Sequence, residues 1–119
     1  MPLYTKSIAA KLTKKDGIRV CIMRHPDSWA KYDIWMPQLS PSQKLRDKSK
    51  QERKGFEIFS TRFLKELKKN TKYLDFVAEA AKKQTVTIMC IEENPLRCHR
   101  SIVAKEIKKR HPNLKVIIR

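Results

Sequence analysis

The run "TVTIMCI", residues 85–91, constrains this chain more than any other stretch. It is apolar and rich in β-branched residues, so a strand made from it reads as buried. "IRVCIMR", residues 18–24, alternates little and predicts a second strand buried on both faces, with "DG" at Asp16 and Gly17 as the turn that feeds it. "LKVIIR" reads as a last strand at residues 114–119. Helical patterns fill the space between. From Gly55 onward, Phe56, Phe59, Phe63, Leu64 and Leu67 recur at three- and four-residue spacing, with Lys65, Glu66, Lys68 and Lys69 on the solvent side. A second helix, about Lys72 to Lys83, turns Leu74, Val77, Ala78 and Ala81 inward. "SIVAKEIKKR", residues 101–110, buries Ile102, Val103 and Ile107 and ends in basic residues that complement its dipole. "HPN" stops it. Strands alternating with helices predict an α/β fold: a small single domain over residues 1–119, with a mostly parallel sheet flanked by helices in two or three layers.

Composition agrees. A chain of 119 residues fits one domain and buries enough surface to fold without disulfides. Only two glycines and six prolines argue against a turn-rich all-β fold. Residues 25–48, with both tryptophans, are too long for an ordinary connection and read as a covering or functional segment. A short helix is expected from Ser42, just after Pro41. No apolar run reaches the roughly 18 residues that span a bilayer, and the first residues lack the apolar core of a signal peptide. A cytoplasmic protein without a membrane partner is the expectation. Three cysteines are an odd number, and Cys21 and Cys90 sit inside apolar runs as small buried hydrophobes. A disulfide framework is therefore not expected, and a reducing compartment is.

The formal net charge is +16. Such a surface attracts polyanions, which makes nucleic acid or a nucleotide the partner that charge suggests. A lysine-rich solvated surface accounts for the same number. The basic residues are scattered, and no aromatic is interleaved among them in a stacking pattern. Charge alone leaves both readings open, and nothing points to particular protein partners.

"CIEENPLRCHRS", residues 90–101, is the stretch hardest to explain as packing. It lies where a strand turns into a helix, and ligands of parallel sheets bind beyond the carboxyl ends of the strands. "RHPDSW" after the first predicted strand belongs to the same end. A helix starting near Cys98 surrounds that thiol with free N–H groups and a positive dipole end, which lowers a thiol pKa. His99 suits a proton shuttle, and Arg97 or Arg100 an anion clamp. Glu92 and Glu93 suit general acid–base work or pairing with those arginines. The alternative is architecture: Arg100 pairs with Glu92 or Glu93, while Cys98 and His99 cap or pack the turn.

Several known signatures fail. A phosphatase-type loop needs Cys, five residues, then Arg; from Cys90 that position is Leu96, and Arg97 comes one residue late. Cys98 sits at the wrong end of its loop for a rhodanese-like site. Cys21, His25, Cys90, Cys98 and His99 hold no paired metal-ligand spacing, so neither a metal nor another cofactor is expected. Two glycines cannot build a glycine-rich phosphate loop.

"DGIRVCIMR", "YDIWMPQLSPSQKLRD" and "VTIMCIEENPLRCHRSIVAKEI", in that order, resemble the domain of unknown function 488 family. The resemblance spans about Ile18 to Ile107 and implies an α/β layout whose hallmark is acidic-Pro-x-x-Cys-His-Arg. Here that segment is Glu92, Pro95, Cys98, His99 and Arg100. Arg24, Trp35, Pro41 and Ser42 match as well. A branch of the family carries "WPRG" after the first strand, where this chain has "RHPDSW". The resemblance implies a fold and a site but names no reaction. The expectation is thus a strand-end site with Cys98, His99, Arg100 and Glu92 in catalytic roles, Arg24, Arg97 and Glu93 toward an anionic ligand, and no metal. The alternative is a non-enzymatic nucleic-acid-binding module in which Cys-His-Arg is structural.

Overall fold

A computed structural model describes residues 2–52, 55–91 and 99–119 of the chain. Among the described residues five strands are present, β1 (Leu3–Ser7), β2 (Ile18–Cys21), β3 (Ile34–Trp35), β4 (Val86–Cys90) and β5 (Val116–Ile117). The helices are α1 (Gln43–Glu52), α2 (Phe56–Leu67), α3 (Thr71–Lys83) and α4 (His99–Arg110). The strands form one sheet in the order β3-β2-β4-β1-β5, and every pairing is parallel. As "TVTIMCI" requires, β4 is central and buried at every position. Among the described residues, no helix is long and apolar enough to cross a membrane.

The two faces of the sheet are covered differently. Val86, Ile88 and Cys90 of β4, Val20 of β2 and Leu3 of β1 meet Leu45, Phe63, Leu67, Leu74, Val77, Val103 and Ile107, which come from all four helices. On the opposite face, among the described residues, Cys21 and Met89 pack with Ile8, Leu12, Met23 and Ala30, all from connecting segments. The fold is thus two layers, with helices on one side and the β1–β2 and β2–β3 connections on the other.

Asp16 pins the first of those connections. Its carboxylate takes Lys6 Nζ at 3.0 Å, Arg19 Nε at 3.3 Å and the Thr13 backbone N–H at 3.0 Å. Its own carbonyl accepts Thr87 Oγ1 at 2.7 Å. Burial works to raise the Asp16 pKa, but Thr13 N–H, Lys6 and Arg19 outweigh it and hold it below the usual value. Gly17 then enters β2 at φ +64°, a region costly for any residue with a Cβ.

The structure adds elements that periodicity did not reveal. "LYTKS" is a strand next to β4, although only Leu3 and Thr5 are buried and Tyr4 and Lys6 face the other way. β3 is two residues long, too short to show a pattern. One expectation about α2 is corrected: Glu66 is half-buried rather than solvent-facing, and it holds Ser42 ahead of α1. Phe56, at the head of the α2 stripe, remains exposed and stacks on Phe59 with ring centroids 5.9 Å apart.

Candidate functional site at the strand ends

The chain leaves β2 toward β3 on one side and leaves β4, through α4, toward β5 on the other. A crevice opens beyond the carboxyl ends of neighbouring parallel strands whose connections diverge in this way. His99, the first residue of α4, spans that crevice. Its Nε2–H donates to the carbonyl of Ile22, just past β2, at 2.6 Å. The acceptor is a carbonyl, so the proton sits on Nε2 and any proton handling by His99 passes through Nδ1. Phe63 of α2 meets the imidazole edge-on, with ring centroids 5.9 Å apart. Burial, with Arg46 and Arg100 repelling added charge, lowers the His99 pKa to about 4 against the pull of the Ile22 hydrogen bond. At neutral pH the ring is uncharged.

Arg100 follows His99 in the first turn of α4. It is 1% exposed, and its Nη1 donates to Cys90 Sγ at 3.2 Å. That contact ties the start of α4 to the end of β4. Cys90 is disulfide-bonded, which corrects the expectation of a chain without disulfides, while Cys21 is free and buried. Burial pushes the Cys21 thiol up, against a backbone hydrogen bond from Met23. Glu92, Glu93, Pro95, Arg97 and Cys98 lie outside the described residues.

Arg24, two residues beyond the carbonyl that holds His99, is placed from the other strand. Its Nε donates to Pro41 O at 3.0 Å. It lines a groove of about 440 Å³ with Gln38, Ser40, Ser42, Glu66 and Lys69. Ser42 is the cap of α1: its Oγ accepts Leu45 N–H at 3.1 Å. The Glu66 carboxylate accepts both the Ser42 N–H at 2.9 Å and the Ser42 hydroxyl at 2.5 Å. A protein carboxylate therefore already sits at the positive end of α1. His25 faces Gln43 at 3.3 Å and lies on the exposed rim. Among the described residues no three His, Cys, Asp or Glu side chains gather as metal ligands would.

The sequence singled out His99, Arg100 and Arg24 but did not point to Arg46, Glu66 and Phe63 as neighbours of His99 and Arg24. All three lie on helices whose ends come to this crevice only after folding. Nothing local distinguishes Arg46 from the other basic residues of α1.

The fold and its strand-end crevice define a two-layer parallel α/β protein with a histidine fixed at the switch point of the sheet. A family model described as the active DUF488-N3 subclade matches residues 3–111, and the chain belongs to the domain of unknown function 488 family. No curated protein and no solved structure matches it significantly.

Proposed function

We propose that the crevice between β2 and β4 binds a small anionic ligand of nucleotide type and acts on it through the Cys-His-Arg segment. In the reduced protein Cys98 serves as nucleophile or contacting thiol, His99 as acid–base or orienting group and Glu92 as carboxylate partner. Arg100 serves as the anion clamp of the segment. Arg24 meets the anion from the β2 side, joined by Arg97 and Glu93 from the segment itself. The observation that carries this reading is the His99–Ile22 hydrogen bond across diverging strand ends, with Arg24 two residues away lining a groove.

The test is alkylation of the reduced native protein across pH, mapped cysteine by cysteine. Cys21, 0% exposed, is the inert internal control. Activated Cys98 reacts at pH 6, well below the ~8.5 of a free thiol, and adenosine monophosphate slows the reaction. A Cys98 as inert as Cys21, with no protection by the nucleotide, overturns the proposal.

A further inference from the structure

The face of the sheet opposite the four α-helices carries a second feature, which adjoins the strand-end site at Met23. Trp29 is 52% exposed, Tyr32 37% and Trp35 50%, so three large aromatic side chains within seven residues face solvent. Their arrangement follows from the fold. Trp35 is the parallel partner of Cys21, and Cys21 packs in the small cluster on the face opposite the α-helices, so Trp35 projects from that face. Its indole N–H donates to Met23 O at 2.7 Å, which sets the ring orientation while leaving half its surface open. Ala30 packs into the same cluster, which lays the 27–32 stretch across the face and leaves Trp29 and Tyr32 outward. Arg19 N–H donates to Asp33 Oδ2 at 2.8 Å, and Asp33 N–H to Arg19 O at 2.9 Å, tying the returning chain to β2.

The charges around these rings favour one kind of occupant. Lys31 lies among them, and Lys11, Lys14 and Lys15 project from the β1–β2 connection that covers the same side; all four are exposed. Of the nearby acids, Asp16 is neutralised by Lys6 and Arg19, and Asp33 faces a backbone N–H; Asp27 is exposed. With +16 overall, the chain offers planar apolar rings in a cationic field. A partner with unpaired planar bases strung on a phosphate backbone complements both properties.

We infer that Trp29, Tyr32 and Trp35 form a stacking platform for single-stranded nucleic acid, with Lys11, Lys14, Lys15 and Lys31 meeting its phosphates. Both tryptophans of the chain lie in this surface, so intrinsic fluorescence reports occupancy directly.

The experiment is a fluorescence titration of the full chain with an oligothymidylate of about 12 nucleotides, a length within the range a stacking groove takes. The expected result is quenching, with affinity falling at least about tenfold between 50 and 200 mM salt. Trp29→Ala and Trp35→Ala each weaken binding about tenfold with the circular dichroism spectrum unchanged. Trp35→Phe keeps a stacking ring without the Met23 hydrogen bond and retains most of the affinity. Should Trp35→Ala disturb folding, Trp29→Ala, whose side chain is half exposed, still decides the matter. Absence of quenching overturns the inference. So does wild-type affinity in both alanine variants, or a duplex of equal length binding as tightly. A dimer in sedimentation that the alanine variants disperse also overturns it, because the patch is then covered by a second copy.

Discussion

His99 shows how one residue's environment changes its chemistry. In the sequence it is the middle residue of the Cys-His-Arg triplet and a candidate proton shuttle. In the fold its Nε2 is committed to Ile22 and its pKa is lowered to about 4, chiefly by burial. A histidine kept neutral in the native state and titrating near 6.5 in the unfolded chain makes the unfolded state bind more protons between those values. Stability is therefore complete above pH 6.5 and falls as pH drops from 6.5 toward 4, by on the order of 2 kcal/mol. Asp16 and Asp75, whose pKa values are also lowered, lose their contribution only below the ordinary carboxylate range, so the windows separate. Denaturant midpoints between pH 7 and 4.5 check this. His99→Gln places an amide nitrogen where Nε2 sits and should flatten the slope. A slope that survives the substitution belongs to another group. Arg100 makes the complementary point: its place in the Cys-His-Arg triplet was legible, but its burial was not. A guanidinium is normally read as surface, and only the neighbours gathered around Cys90 make it otherwise.

At the scale of elements, the junction into β2 decides where the crevice lies. Gly17 brings the backbone so close to β4 that an added Cβ would stand 2.0 Å from Thr85 O, the same oxygen that accepts Ile18 N–H at 3.0 Å. Gly17→Ala therefore combines a positive-φ penalty with a clash against backbone, and about 2 kcal/mol or more of stability should be lost. Chemical denaturation measures the loss. A variant as stable as the parent would mean that β2 can shift without cost. The "DG" turn was legible because those residues punctuate chains for a local reason. β4, α2, α3 and α4 were legible too, through periods that a burial face imposes along each element. β1 and β3 escaped. Five residues with lysine at the fourth, and a pair of residues, hold no period long enough to read. Their pairing is fixed by β4 and β2, which are distant in sequence.

For the molecule as a whole, charge is the dominant collective property. At +16, like-charge repulsion opposes the compact state, and salt screens it. The melting temperature should rise, on the order of 5 °C, between 10 and 300 mM sodium chloride. A fall instead would mean that ion pairs such as Arg110–Asp75, 2.7 Å apart, outweigh the repulsion. The sequence by itself determined the α/β class, the two buried strands and the helical faces. Those follow from hydrophobic period and from chain order, which are properties of the string. Tertiary structure alone decided that α1 to α4 cover the same face, that Glu66 holds the head of α1, and that Arg100 is buried. It also decided that Trp29, Tyr32 and Trp35 remain open among lysines on the other face. Burial and charge pairing are set by which distant residues arrive beside a side chain, and nothing local to that side chain records them.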